Sequence, residues 1–129
     1  MSTLLPSLGR RGAFVPLHAA ALLALFVACR TPGAQVHVIG AGVDAPDAFC
    51  RDFRLTAEQA RRFFERAEVL TPERLHDDFQ WLPCFVDGET VEGGSKRTWR
   101  IRAGGTAEVS GRDGNLAYYG CKSCDDLLR

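Results

Sequence analysis

The sequence predicts an α+β domain, with one main amphipathic helix and a short second helix packed on an antiparallel meander of about four strands. Three observations carry that expectation. Apolar residues recur at helical spacing through residues 57–70. Beyond Gln80 the period changes to two. Asp-Gly and Gly-Gly pairs then punctuate the alternating region where hairpins would turn. Composition bounds the rest: 16 Lys+Arg balance 16 Asp+Glu in 129 residues, of which 46% are hydrophobic, the profile of one ordinary globular domain. With zero net charge and no basic stripe, the electrostatic footprint of a nucleic-acid binder is missing.

The first element is an address. Residues 1–28 divide into an n-region with Arg10 and Arg11 and an apolar core over 19–28, and Cys29 follows, which is the three-part pattern of a secretory signal. The fully apolar run falls well short of the roughly 20 residues that a spanning helix needs. Phe26-Val27-Ala28-Cys29 resembles a bacterial lipobox, in which a small residue precedes a Cys that is lipidated and becomes the mature N-terminus. The resemblance covers four residues, with Phe26 where an aliphatic side chain is usual. It implies removal of 1–28, an acylated Cys29, and attachment by lipid without a spanning polypeptide. Arg30 stands where enterobacterial lipoproteins kept at the inner membrane carry Asp, so the same resemblance implies outer-membrane delivery, facing the periplasm. Free secretion after ordinary cleavage, a retained signal anchor and a buried core helix are the alternatives, and Phe26 suits an Ala-x-Ala site poorly. Arg10-Arg11 is read as the positive n-region and not as a twin-arginine signal, because Ala13 occupies a position where that motif prefers a large apolar residue.

Residues 29–34, with Thr31-Pro32-Gly33-Ala34, form a breaker-rich tether, and 35–129 form a single small α+β domain. A short strand is expected over 35–39, followed by irregular chain through Gly40-Ala41-Gly42 and Pro46. Thr56 caps the main helix with Gln59 as its capping-box partner, and Ala60, Phe63, Phe64, Ala67 and Leu70 make its apolar stripe. Glu58 with Arg62 and Arg61 with Glu65 are i,i+4 pairs on the solvated face. Thr71 and Pro72 open a second short helix, with Leu75 and Phe79 as its anchors. Four strands follow by alternation: Leu82, Cys84 and Val86 before Asp87-Gly88; Trp99, Ile101 and Ala103 before Gly104-Gly105; Ala107 and Val109; then Leu116 and Tyr118 after Asp113-Gly114. Pro83 places its strand at an edge.

In an exported protein, Cys50, Cys84, Cys121 and Cys124 read as two structural disulfides. Long loops restrict the unfolded chain most, so pairing of Cys121 and Cys124 with the distant Cys50 and Cys84 is the expectation. A redox-active Cys121-Lys122-Ser123-Cys124 is the enzymatic alternative, opposed by the absence of a following helix pattern and by Asp125 and Asp126 beside the thiols. A four-cysteine zinc site has the right ligand count but only one CxxC knuckle. His76-Asp77-Asp78 is the one compact acid/base cluster, read as a solvated helix end, and His37 as a solvent-facing strand residue. Gly93-Gly94 and Gly104-Gly105 lack the helix and Lys of a phosphate loop and are turns. No metal or cofactor is implied. The aromatic residues Trp81, Phe85, Trp99, Tyr118 and Tyr119 divide between two sheet faces. Adjacent Tyr118 and Tyr119 cannot both point inward, so Trp99, Tyr118 and Tyr119 are the candidate binding residues.

The function these readings imply is that of a small exported, lipid-anchored cell-envelope protein acting by binding, of which an inhibitor or immunity-type protein is one version. Its partners would be the membrane, through the anchor, and a protein in the envelope. The rivals are a thiol-disulfide oxidoreductase using Cys121 and Cys124 and a purely structural envelope lipoprotein.

Overall fold

Backbone pairing, more than helix, organises this chain. The computed structural model describes residues 33–129, so the signal segment 1–28, the lipidation site Cys29 and tether residues 29–32 lie outside the described residues. The elements run β1 (Gln35–Val43), α1 (Ala57–Arg66), β2 (Glu68–Leu70), α2 (Pro72–Asp78), β3 (Cys84–Glu92), β4 (Ser95–Arg102), β5 (Thr106–Ser110) and β6 (Leu116–Gly120). All six strands join one sheet in the order β1-β3-β4-β5-β6-β2, every neighbour antiparallel. This overturns the expectation of a main helix on a four-strand meander, because the sheet has six strands and both helices are short.

Two segments account for the difference. The chain from Gln35 does not turn irregular at Gly40 but continues as a strand to Val43, with a bulge between Val38 and Gly40. Gly42 belongs there because a Cβ would strike the Phe85 ring across the pair. The helix, in turn, stops at Arg66: Ala67 takes extended backbone while its N–H still bonds the Phe63 carbonyl at 2.9 Å. Pro72 forces Thr71 out of the α region, so the helix cannot run on into the next one, and Glu68, Val69 and Leu70 instead cover the open edge of β6. The capping box of Thr56 and Gln59 is formed at both its bonds, 2.8 and 3.1 Å, and Thr71 caps α2 with Pro72 in its first turn.

Two further sequence expectations fail for identifiable reasons. Asp87-Gly88 is not a turn but lies in mid-strand, with Asp87 opposite Arg100 and Gly88 opposite Trp99. The hairpin turns at Gly93-Gly94, both at positive φ. Gly88 is there to leave room, since a Cβ would fall on the Trp99 ring and the His37 carbonyl. Pro83 does not mark an edge strand either. It precedes β3, which has neighbours on both sides, and contributes only its carbonyl, accepting from the Asp44 N–H at 2.9 Å. Asp113-Gly114 does turn the β5–β6 connection, with Gly114 at φ 77° and the Asp113 carboxylate accepting the Asn115 N–H.

Alternation gives the sheet two faces. Val86, Trp99, Ile101 and Ala107 point to the α1 side and form the core with Ala60 and Phe63 of α1 and Phe53, Leu55 and Leu127 from the connecting loop and tail. Phe63 and Ile101 are fully buried. The opposite face carries Phe85, Asp87, Arg100, Arg102 and Glu108, partly covered by α2 through Leu75 and Phe79.

Phe63→Ala should lower stability by about 3–5 kcal/mol, the usual cost of truncating a buried Phe, and Phe64→Ala less, because Phe64 is only half-buried. Gly88→Ala should also destabilise, by about 1–3 kcal/mol of overpacking. Urea denaturation of the three variants checks both. A Gly88→Ala protein as stable as the parent would contradict the close approach of the Trp99 ring.

Candidate functional site

Trp99 is the deepest of the three candidate binding residues, only 3% exposed. Its indole N–H donates to Thr90 Oγ1 at 3.1 Å, so its polar atom is satisfied within the sheet. The Phe64 ring meets it edge-on at 5.7 Å and meets Tyr119 in the same way at 5.9 Å. Phe64 itself is held edge-on against Phe63 at 5.4 Å. One turn of α1 thus uses two adjacent phenylalanines, Phe63 to fill the core and Phe64 to wall the space beside it.

That space is an open cleft of about 530 Å³ between the N-terminal half of β1, the exposed flank of α1 and the sheet. Val36, Phe64, Trp99, Val109 and Tyr119 give it an apolar lining. The size falls in the range of small-molecule sites, about 300–1,000 Å³. Its rim is charged but internally matched. Arg61 is bonded to Glu58 at 2.7 Å and paired with Glu65, and Arg97 lies 3.4 Å from Glu92. The Arg61 hydrogen bond holds the Glu58 carboxyl below its ordinary range and raises the guanidinium in turn. A rim of paired charges selects no ionic ligand, so the chemistry the cleft offers is contact with an apolar group. Gly33 and Ala34, the first residues described, also line it.

The structure therefore brings Trp99 and Tyr119 together and separates Tyr118. Tyr118 pairs with Glu108 and Leu70 and lies on the α2 side. Sequence reasoning missed Phe64 as a wall of the site, although its position next to the core residue Phe63 on an amphipathic helix was the available signal. On the α2 side Arg102 is buried, bonded to Asp44 at 2.7 Å and 3.5 Å from Glu108, with Trp81 stacked at 5.2 Å and largely exposed. Arg100 lies 3.6 Å over the Phe85 ring and pairs with Asp87 at 2.8 Å, an interaction that raises its pKa.

The remaining candidates are dispersed. His76 and Asp77 are exposed on α2, and Asp78 is engaged by Arg74 at 3.3 Å and Lys122 at 3.4 Å. His37 is exposed on β1 opposite Glu89. Among the described residues no group of three or more His, Cys, Asp or Glu is placed to hold a metal ion, and no helix is long and apolar enough to cross a membrane.

The cysteines form two disulfides, Cys50–Cys84 and Cys121–Cys124. The expected pairing of both tail cysteines with distant partners is corrected: the tail closes a local ring. Its position explains why. Cys121 continues from β6 with its N–H on the Gly105 carbonyl at 2.8 Å, which fixes it above the β4–β5 turn, and the tail then bends under α1. There Gln59 Nε2 bonds the Leu127 carbonyl at 3.2 Å and Arg66 bonds Asp126 at 2.9 Å. Cys50–Cys84 sits elsewhere, clamping the loop after β1 to the start of β3.

Comparison with protein-family models, with curated proteins and with solved structures finds no match to this chain.

The two disulfides should contribute unequally. In the chain-entropy account a bridge spanning 34 residues restricts the unfolded state by about 4 kcal/mol, and one spanning 3 residues by about 2 kcal/mol. Replacing Cys50 and Cys84 together with Ala should therefore lower the urea midpoint more than replacing Cys121 and Cys124 together. Equal losses would show that packing of the tail, and not loop closure, sets their contribution.

Proposed function

We propose that the chain is a small exported protein of the bacterial cell envelope, lipid-anchored through Cys29, that acts by binding through the cleft beside α1. The observation that carries the binding role is the cleft itself, an apolar lining of Val36, Phe64, Trp99, Val109 and Tyr119 left open between a strand and a helix. Exposed apolar concavities of this kind mark sites for ligands or partners. Export and anchoring are supported by the sequence of residues 1–29, with the lipobox-like Phe26-Val27-Ala28-Cys29, and Arg30 in place of Asp supports outer-membrane delivery. Two disulfides suit an oxidising compartment. Small size and export also suit an inhibitor or immunity-type protein.

The oxidoreductase reading keeps one observation in its favour, the local Cys121–Cys124 ring that a redox pair would form. Burial opposes it. Cys121 is 4% exposed and Cys124 0%, no helix begins after either, and exchange requires an accessible sulfur at a site that stabilises thiolate.

Metabolic palmitate should label the protein and intact mass should show processing at Cys29, and Cys29→Ala should abolish the label and move the protein to the soluble fraction. Unchanged labelling and fractionation in that variant would overturn the anchor. For the binding role, Val36→Trp, which places an indole in the cleft from an edge strand, should abolish capture of an apolar fluorescent probe by the Cys29→Ala protein while leaving the melting temperature near that of the parent. Undiminished capture would place the contact elsewhere.

A further inference from the structure

We propose that the apolar group taken by the cleft is a fatty acyl chain, and that it is one of the chains carried by the protein's own Cys29. The inference rests on the lipid-anchor reading above and names the ligand of the same site.

Three features converge on it. The first is polarity. The lining of the cleft offers six apolar or aromatic side chains, and Trp99 Nε1 and Thr90 Oγ1, polar atoms of two of its lining residues, bond each other. A peptide entering this space would bring backbone N–H and C=O groups that need partners there, whereas a methylene chain brings none. Each CH₂ moved out of water into such surroundings adds favourable free energy. The second is the rim. Arg61 and Arg97 are each already paired with a carboxylate, so neither guanidinium is left over to recruit an anionic head group. What enters is chosen for its apolar part.

The third is reach. Gly33 lines the cleft, and Cys29 is four residues upstream, a span of at most about 14 Å when fully extended. A lipid on Cys29 is therefore tethered within one acyl-chain length of the opening. A tether of so few residues sets an effective concentration on the order of millimolar, enough for a modest intrinsic affinity to fill the site. A lipid with more than one acyl chain can place one in the cleft and leave another in the bilayer. Attachment would then hold the cleft mouth against the membrane, with α1 and the N-terminal half of β1 facing it.

The protein contains two tryptophans, Trp81 on the α2 side and Trp99 at the cleft, so Trp81→Phe makes Trp99 the sole reporter. A doxyl-labelled stearate is the probe. Added to the unlipidated Cys29→Ala, Trp81→Phe protein, it should quench Trp99 saturably with one site per chain. Adding Val36→Trp to the same Cys29→Ala, Trp81→Phe protein, and measuring retention of the labelled stearate by its spin signal, should reduce uptake at least tenfold. The native lipidated Trp81→Phe protein, purified in detergent, should resist quenching because its own chain holds the site. Failure of the unlipidated protein to take up the probe overturns the acyl chemistry. Equal quenching of lipidated and unlipidated proteins overturns occupancy by the protein's own chain. Intact mass of the native protein separates these outcomes from failure of the anchor: a mass without the lipid increment overturns the anchor reading, and this inference with it.

Discussion

Burial of the Trp99 indole is the constraint on which the rest of the sheet depends. An indole lying flat on one face of a sheet needs space on the neighbouring strand, a partner for its N–H and a cover from above. Gly88 supplies the space, Thr90 the acceptor, and Phe64 of α1 the cover. Because Gly88 and Thr90 both belong to β3, the ring fixes the β3–β4 register at two positions on one face, and a slip of one residue would turn the indole to the opposite face. The same register aligns Asp87 with Arg100 on the other side, where the ion pair lies beside Phe85. A single side chain thereby ties the core to the polar face.

The two faces solve different problems. On the α1 side the sheet is covered for only part of its width, since ten helical residues cannot shield six strands. The loop after β1 and the tail after β6 make up much of the cover, and each is closed by a disulfide, which is how a small chain holds irregular segments against its core. What the described residues leave uncovered, beyond Phe64, is the cleft. On the α2 side the chain relies on long side chains instead. Arg102 is buried under Trp81 and Phe85 with its charge met by Asp44 and Glu108, so a guanidinium serves there as both packing and counter-ion.

Legibility in the sequence followed the range of the interactions that decide each element. Caps are local, so Thr56 with Gln59 and Thr71 with Pro72 could be read directly, as could the turn at Asp113-Gly114. Gly88 could not, because its reason lies eleven residues away at Trp99. Nor could the strand nature of Val69 and Leu70, which continues a helical spacing but answers to the edge of β6 some fifty residues later. The long β1 was obscured by Gly40 and Gly42, residues that discourage strands, and the reason for Gly42 is visible only once the Phe85 ring across the pair is known. At the site, Trp99 and Tyr119 were visible as candidates, while Phe64 and the assignment of Tyr118 to the far face required the packing.

The cleft also bears on how β1 can remain a stable edge. A nine-residue edge strand whose only titratable side chain is His37 is the kind of surface that pairs with other chains. Its C-terminal half is protected by the bulge at Val38 and Gly40, which breaks a flat pairing surface, and by the Cys50–Cys84 bridge in the loop that follows it. The N-terminal half, from Gln35 to His37, has no such device among the described residues. It is, however, the half that borders the cleft through Val36. Filling the cleft beside Val36 would hold this stretch to the sheet through its side chain, adding contacts that oppose fraying without occupying its outward backbone groups. A ligand there would stabilise the edge it touches, so binding and the integrity of β1 would be linked through the same few residues.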